Sequence, residues 1–374
     1  MEKSKRKIVV GSRDSKLALI QTNFVVDRLN ELYKDVEFEI KTMKTTGDKI
    51  LNLALSKIGQ KSLFTKELEL GLDDRSIDMV VHSLKDLPTT LPENMVIGAI
   101  LKRDDPRDAV VMHPKHSNLL SIGDLPDGSV IGTSSLRRIS QLKQKFPKLQ
   151  FKDIRGNLNT RLRKLDDADD YDAIVLALAG LVRMGWNKRV SQVLEPIICM
   201  YSVSQGALAV ECRQDDDYTL DLLFPLNDYH TLLRCIAERS FLKKLEGGCS
   251  APVAVHSQVI HGTYSNNTEK EDSVSLTGGV FSLDGKDCRI HSVLSGNINL
   301  DLLDEPTGKR SRQTEIFSCA HLGRFENRER ITFEICEKLG NSLAVKILNE
   351  GGKSILEAAK AQTNREINKV EKAE

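Results

Sequence analysis

The chain has 374 residues, more than one hydrophobic core usually supports, so two or three domains are expected. Hydrophobic residues make up 40% and charged residues 29%, a composition that excludes a largely disordered protein. Lys and Arg number 54 against 53 for Asp and Glu, so the net charge of +1 indicates neither a nucleic-acid nor a membrane partner. Any recognition of anions must therefore be local.

The start of the chain and its cysteines predict its compartment. No apolar run approaches the ~20 residues that span a bilayer, and residues 1–7 lead into Ile8-Val9-Val10 without a signal-peptide apolar region. The seven cysteines are scattered, with no Cys-x-x-Cys pair and no Cys/His spacing typical of a zinc site. We expect a soluble cytoplasmic protein with reduced thiols and no metal.

Two segments share a strand, small-residue loop and helix pattern. Ile8-Val9-Val10 enters a loop at Gly11 and a helix extending to Tyr33, and Val130-Ile131 enters Gly132-Thr133-Ser134-Ser135 and a helix closed by Pro147. Such a loop aims the unpaired N–H groups of the new helix beyond the strand's carboxyl end, which favours anion binding. Two similar α/β domains facing one cleft are predicted.

The charged, proline-containing segment 101–108 predicts a hinge between those domains. From Thr231 the pattern changes to that of a smaller α+β domain. Its predicted elements are a helix through Phe241, short strands at 253–259, 274–276 and 280–283, and helices at 331–348 and 355–370.

Basic residues are concentrated between Thr133 and Lys164, where ten face the single acid Asp153. For the lysines at 143, 145 and 148, a solvated helix face is the simplest interpretation. The arginines differ, because they lie near the openings of predicted helices, where the helix dipole disfavours a cation unless an anion is present. Ligand binding and intramolecular ion pairing are equal alternatives for these four, namely Arg137, Arg138, Arg155 and Arg161.

The segment 78–88 predicts a buried strand that ends in Lys85 and Asp86, where sites form in α/β folds. Asp86 is either a proton carrier or clamp for cationic groups in a cleft, or half of a surface pair with Lys85. His82 is expected to be a packed strand residue.

Two loops are further candidates. The polar segment 59–68 precedes a helix and forms either a mobile lid or a long connection. Cys249 follows Gly247-Gly248, which removes side-chain bulk beside the sulfur, so its thiol is a candidate nucleophile or attachment point. The other six cysteines are expected to be buried and inert.

Taken together, these motifs resemble the hydroxymethylbilane synthase (porphobilinogen deaminase) family over residues from about Lys7 to His256, and the resemblance weakens afterwards. The motifs that carry it are Gly11-Ser12-Arg13, Thr45-Thr46-Gly47-Asp48, Lys61-Ser62-Leu63-Phe64-Thr65-Lys66-Glu67, 81–88, Gly132-Thr133-Ser134-Ser135-Leu136-Arg137-Arg138, Arg155-Gly156-Asn157-Leu158-Asn159-Thr160-Arg161-Leu162, 179–185, Gln205-Gly206-Ala207-Leu208 and Glu246-Gly247-Gly248-Cys249-Ser250.

The resemblance implies a monomer of three α/β domains. The first two domains would resemble periplasmic binding proteins around a cleft. Domain 1 would be residues 1–104 with a return segment at 204–228, and domain 2 would be residues 105–203. The third, residues 229–374 with an insert at about 262–325, is a small α+β domain that would carry the cofactor cysteine. The return crossing follows from the resemblance alone.

The resemblance also implies the chemistry. A dipyrromethane cofactor is joined by a thioether to Cys249, four porphobilinogen molecules are added head to tail with loss of ammonia, and water releases linear hydroxymethylbilane. Every pyrrole ring carries an acetate and a propionate, so the product brings many carboxylates into one cleft. The local excess of basic residues suits such a product.

Residue roles follow by match to the family motifs. Asp86 would hydrogen-bond pyrrole N–H groups and stabilise the cation formed when ammonium leaves. Substrate would be held by Arg13, Arg155 and Arg161, with Ser15 and Gln21 as further contacts, and Lys61 and Phe64 would lie on a loop covering the cleft. Beside Cys249, the cofactor would be bound by Ser83, Lys85, Asp86, Thr133, Ser134, Ser135, Arg137, Arg138, Arg183, Gln205 and Gly206.

The chain departs from the family pattern at two positions. Ser204 stands where Gly is usual, and Asp14 follows Arg13 where a basic or neutral polar residue is common. We expect a modest effect on substrate affinity and no loss of activity.

Two other function classes compete with the enzyme. A non-catalytic two-domain anion-binding protein explains the paired loops and the hinge but gives no role to Cys249 or Asp86. A nucleic-acid binder would use the same arginines, but 5% aromatic residues and a near-neutral charge disfavour it.

Overall fold

The computed structural model describes residues 6–45, 65–245, 252–261, 272–295 and 316–371, which form three sheets with flanking helices. None of the helices in these ranges is both long enough and apolar enough to cross a bilayer.

The first sheet has seven strands in the order β14-β15-β4-β10-β3-β1-β2. β1, β2 and β3 run parallel, so their carboxyl ends lie at one edge. The strands are β1 (Arg6–Arg13), β2 (Val36–Met43), β3 (Met79–Ser83), β4 (Met95–Ile100), β10 (Leu208–Arg213), β14 (Ile316–Phe317) and β15 (Ala320–His321). The helices of this part are α1 (Lys16–Leu32), α2 (Lys66–Asp73) and α6 (Asp217–Leu223).

The second sheet has five strands in the order β7-β6-β8-β5-β9, and β6 runs parallel to β7 and β8. Its strands are β5 (Asp108–Met112), β6 (Val130–Gly132), β7 (Gln150–Lys152), β8 (Ala173–Ala177) and β9 (Gln192–Leu194). Its helices are α3 (Leu136–Lys145), α4 (Leu158–Asp167) and α5 (Leu178–Arg183). Both predicted strand-to-helix units are therefore present, but the loop predicted to begin at Gly11 is wrong in its start, because β1 continues through Gly11 to Arg13 and β6 includes Gly132.

The third sheet is an antiparallel set of three strands, β11 (Val253–Ile260), β12 (Ser273–Phe281) and β13 (Cys288–Leu294). Three helices pack with it: α7 (Tyr229–Lys244), α8 (Asn327–Ile347) and α9 (Lys353–Glu371). The prediction of two strands at 274–276 and 280–283 is wrong, because one strand runs through both. Gly278, between the two predicted strands, pairs within β12, and a Cβ there would lie 2.5 Å from the Phe241 ring, so glycine lets the strand pack closely against α7. The sequence pattern also missed β13.

Residues after 203 return to the first sheet. β10 lies between β3 and β4 and is antiparallel to both. All six of its residues are buried, so it has no alternation that would set it apart from other apolar segments. The hairpin of β14 and β15 also joins this sheet beside β4, although the predicted boundaries assign it to the third domain.

Candidate active site

The carboxyl ends of parallel strands in the first two sheets position the predicted site residues. Arg13 ends β1, and Lys85 and Asp86 lie on a short 3-10 turn directly after β3 rather than on the strand itself. In the second sheet, 133–135 links β6 to α3, and Arg155 lies between β7 and α4. Residues distant in sequence thus meet at the edges where α/β folds form sites.

Asp108, the first residue of β5, organises a buried charge cluster. It accepts hydrogen bonds from the guanidinium of Arg137 at 2.6 Å and from that of Arg138 at 2.7 Å. All three side chains are at least 93% buried. The two guanidinium charges hold the pKa of Asp108 well below its usual range, against the opposing effect of burial. Of the two alternatives, intramolecular pairing is therefore found for Arg137 and Arg138.

Gln205 connects this cluster to Lys85. The Lys85 ammonium donates to Gln205 Oε1 at 3.3 Å, and Gln205 Nε2 donates to Asp108 Oδ1 at 2.8 Å. Burial is the largest cause that lowers the pKa of Lys85 to about 8, with Asp86 and Asp108 opposing it and Arg138 and Arg137 adding to it. Lys85 is thus a cation whose charge the protein compensates only in part.

Arg161, on α4, is a second cation of this kind. Its Nε donates to the Gly156 carbonyl at 2.8 Å, and within the described part of the chain its terminal nitrogens have no ion-pair partner. Burial lowers its pKa to about 10, with added repulsion from Arg138 and Arg155. Arg155 itself pairs with Asp153 at 3.0 Å. An anion placed beside Arg161 would relieve this repulsion.

Asp86 differs from Asp108 in its surroundings. It is exposed, and within the described ranges it makes no hydrogen bond or ion pair, although it attracts both Lys85 and Arg161 electrostatically. A carboxylate that is open to solvent and faces two incompletely compensated cations is available to a cationic ligand group.

Comparison with known proteins decides the family. Residues 8–221 match the model of the porphobilinogen deaminase dipyrromethane-cofactor-binding domain, and residues 232–301 match that of the porphobilinogen deaminase C-terminal domain. The chain belongs to the porphobilinogen deaminase family. This confirms the resemblance and the predicted three-domain α/β fold class.

Members of this family align in sequence with most of the chain. The porphobilinogen deaminase of Gloeobacter violaceus is 53% identical over 75% of this chain and 83% of its own length. That of Dictyostelium discoideum is 47% identical over 75% of this chain and 85% of its own. A solved methionine-binding protein covers 59% of this chain and 89% of its own, with 14% identity and a TM-score of 0.38, too low to support any argument.

The charge balance fits the dipyrromethane of this family. Among the described residues, the largest charge effects on Lys85 and Arg161 come from Arg137, Arg138 and Arg155 and from two carboxylates, those of Asp86 and Asp108. In addition, the buried Nε of Arg138 has no hydrogen-bond partner among the described residues. Two pyrrole rings bring four carboxylates, so the cofactor would supply the negative charge that this part of the cleft lacks.

Several predicted site residues have structural partners. Ser15 accepts from Ala18 N as the N-cap of α1, and Gln21 donates to Ser83 Oγ at 3.0 Å. Arg183 pairs with Asp104 and donates to the Gly206 carbonyl at 2.7 Å. In the loop after β6, Ser134 Oγ donates to Ile154 O and Ser135 N donates to Thr133 Oγ1. These contacts hold the cleft's loops in place.

Three predicted residues, Lys61, Phe64 and Cys249, lie outside the described residues. Of the other cysteines, Cys199, Cys212, Cys235 and Cys336 are buried, and burial raises the pKa of each thiol. Cys288 and Cys319 are only partly buried, so the expectation of burial is wrong for these two.

Sequence reasoning missed Asp108 and the buried pair of Arg103 with Glu238. All three fall in segments that the sequence analysis assigned to a hinge or a helix without further role. The available signal was a charged residue directly before an apolar strand, as in Asp108 before Ala109, since a buried charge requires a partner.

Proposed function

We propose that this chain condenses porphobilinogen molecules in the cleft around Asp86, with the surrounding cations holding the carboxylates of the growing product. As a porphobilinogen deaminase, the chain is a transferase that adds four porphobilinogen molecules with loss of ammonia and releases linear hydroxymethylbilane for tetrapyrrole biosynthesis. The excess of buried and partly buried cations over carboxylates beside Asp86 is the observation that carries the assignment of the site.

The cations divide into two groups in this proposal. Lys85 and Arg138 bind carboxylates of the dipyrromethane in this proposal, because Lys85 is compensated only in part and the Nε of Arg138 has no hydrogen-bond partner among the described residues, although its terminal nitrogens bond to Asp108 and the Val175 carbonyl. Arg13, Arg155 and Arg161 bind carboxylates of the incoming porphobilinogen. Arg137, paired with Asp108 and with the Met200 carbonyl, positions Arg138 through their shared carboxylate.

Asp86 is the proposed catalytic residue. Its carboxylate would accept hydrogen bonds from pyrrole N–H groups and stabilise the positive charge that develops as ammonium leaves the substrate. When bound, the cofactor would supply the electron-rich pyrrole carbon to which the first substrate ring is joined, and each later ring would be joined to the ring added before it. Lys85 and Arg161 attract the Asp86 carboxylate electrostatically and so help to hold it in the cleft.

The remaining sites follow the family motifs. We assign Cys249 as the attachment point of the cofactor and Lys61 and Phe64 to a loop over the cleft. We further assign two groups of residues. The cofactor side of the cleft has Ser83, Thr133, Ser134, Ser135, Arg183, Gln205 and Gly206, and the substrate side has Ser15 and Gln21.

The wider assignments are also proposals. Domain boundaries are those predicted from the resemblance, with 204–228 returning to the first domain, which agrees with the position of β10. A cytoplasmic monomer that binds neither nucleic acid nor membrane is proposed.

The deciding experiment is the intact mass of the purified protein and of its Cys249→Ala variant. We expect the wild type to carry the extra mass of a covalent two-ring pyrrole adduct and the variant to lack it. A folded wild type without added mass, made with porphobilinogen available, would favour the non-catalytic anion-binding protein.

A further inference from the structure

We propose that His230, His261 and Asp272 form a binding site for a divalent transition metal in the third domain. They offer two imidazole nitrogens and a carboxylate oxygen, and these atoms all lie within 4.8 Å of one another. Zn²⁺ takes these donor types and is the metal that we use to test the site. None of the three residues belongs to the proposed catalytic cleft.

Three different elements bring the ligands together. His230 is in the first turn of α7, His261 directly follows β11, and Asp272 directly precedes β12. The last paired residues of the two strands are Ile260 and Ser273, so His261 and Asp272 continue the register by one position. Because the ligands are far apart in sequence, no motif spacing could reveal them.

The distances suit a tetrahedral metal. His230 Nε2 lies 2.9 Å from Asp272 Oδ2, and His261 Nδ1 lies 3.2 Å from each carboxylate oxygen. Ligand atoms at metal bonds of 2.0–2.1 Å in a tetrahedron are about 3.3 Å apart. The imidazole rings meet edge to face, with centroids 5.0 Å apart. The carboxylate-to-imidazole distances thus lie within a few tenths of an ångström of this value, and the two imidazole nitrogens, at most 4.8 Å apart, would move closer together to complete the coordination.

The same atoms could serve a purely hydrogen-bonded cluster, in which each ring donates an N–H to the carboxylate. A metal would bind the same two nitrogens in the tautomers that carry the ring proton on His230 Nδ1 and His261 Nε2, so that each imidazole stays neutral. The side chains of His230 and His261 are 47% and 69% exposed, so an ion can enter from solvent and keep water as its fourth ligand.

A bound metal would join the ends of β11 and β12 to the first turn of α7. The next residue of that helix, Thr231, accepts a hydrogen bond from the backbone N–H of Arg103 in the hinge segment at 3.0 Å. Metal binding should therefore stabilise the third domain where it meets the hinge.

The test is titration of tag-free, cofactor-loaded protein with Zn²⁺ by calorimetry, and with Co²⁺ by visible absorption. We expect one equivalent of Zn²⁺ with a dissociation constant of about 1 µM or lower, and the intense visible bands of tetrahedral Co²⁺. His230→Ala and Asp272→Asn should each weaken Zn²⁺ binding at least tenfold and abolish the Co²⁺ bands. His113→Ala, which removes a histidine outside the cluster, should change neither.

Asp272→Asn keeps the size and a hydrogen-bond acceptor, so it covers the case in which His230→Ala fails to fold. Equal Zn²⁺ affinity in wild type and both cluster variants would overturn the proposal. Binding by the wild type only at millimolar Zn²⁺, or a weak octahedral Co²⁺ spectrum, would also overturn it and leave a hydrogen-bonded cluster.

Discussion

Asp86 and Asp108 show how surroundings give one residue type two uses. Asp108 is fully buried and accepts hydrogen bonds from Arg137, Arg138 and Gln205, which leaves it no capacity for a ligand. Asp86 is exposed beside Lys85 and lacks such partners in the described ranges. Asp108 therefore positions the arginines of the site, whereas Asp86 is available to a ligand.

Asp86→Asn keeps the size of the side chain and removes its charge. We expect turnover to fall at least about 100-fold, because a carboxylate aimed at developing positive charge contributes on this scale. Steady-state assay of porphobilinogen consumption measures the effect, and intact mass shows that the cofactor is still attached. The surface variant Asp127→Asn, which loses only an exposed pair with Lys148, should keep wild-type turnover. Similar turnover in both variants would remove Asp86 from the mechanism.

Lys85 provides a pH-dependent prediction in the cofactor-free Cys249→Ala background. Its pKa of about 8 in the folded state lies below the ordinary 10.5. Between pH 8 and pH 10.5 the unfolded chain therefore binds more protons than the folded chain. Burying the Lys85 charge lowers the free energy of unfolding by its full amount below pH 8, and this loss disappears as the pH rises to 10.5. Lys85→Met should raise the urea midpoint at pH 7 and raise it much less at pH 10.

The exposed Lys145 offers a matched control for this prediction. Lys145→Met should leave the urea midpoint nearly unchanged at both pH values, because an exposed lysine carries no burial penalty. A decrease in stability of Lys85→Met at pH 7 would show that its contacts with Gln205 and the aspartates outweigh the cost of burying its charge.

At the scale of elements, the segment 204–207 that leads into β10 has an unusual backbone. Ser204 has φ +62° and Gly206 has φ +90°, both in the left-handed region that favours glycine. The left-handed φ at Ser204 agrees with the expectation, drawn from the resemblance, that glycine is usual at this position. At Gly206 a Cβ would also lie 2.6 Å from the Asp104 carbonyl oxygen, so the hinge and the return segment approach too closely for any side chain.

The two positions predict opposite effects on stability. Ser204→Gly should raise the free energy of unfolding by about 0.5–1 kcal/mol, because relief of left-handed strain exceeds the entropy cost of glycine. Gly206→Ala should lower it by about 2 kcal/mol or more through strain and the clash with Asp104. Urea unfolding followed by circular dichroism measures both. Equal shifts of the same sign would contradict the backbone argument.

At the scale of the whole molecule, one buried ion pair joins the three parts of the chain. Arg103 of the hinge segment forms a bidentate pair with Glu238 of α7, at 2.7 and 3.0 Å. Its Nε donates to the Gln205 carbonyl at 2.8 Å. Both charged side chains are at least 98% buried, so each depends on the other for compensation.

Glu238→Gln leaves the Arg103 charge buried without its partner. We expect the free energy of unfolding to fall by about 3–5 kcal/mol, the usual cost of breaking a buried pair. Asp215→Asn breaks the exposed Arg75–Asp215 pair and should cost less than about 1 kcal/mol. Urea midpoints of the two variants give the comparison, and equal small losses would show that the hinge pair contributes little.

Local patterns in the sequence determined much of the fold and the type of site. The segments after Val10 and Ile131 predicted two α/β units. The periodicity of a strand or helix and the small residues of a loop are properties of neighbouring residues, so the sequence shows them directly. The family motifs then predicted the porphobilinogen deaminase family from the residues alone. Arg155 and Arg161 could be recognised as candidates because their place before or in a predicted helix is also a local property.

Tertiary structure alone decided which of these residues meet. Asp108 could be assigned to Arg137 and Arg138, and Lys85 to Gln205, only once the strands were placed in sheets. In the same way, β10 lies between β3 and β4, which come much earlier in the chain. The cluster at 230, 261 and 272 also combines residues that are far apart in sequence. The physical reason is that the charge state and availability of a side chain depend on burial and on partners from other elements, which sequence spacing does not specify.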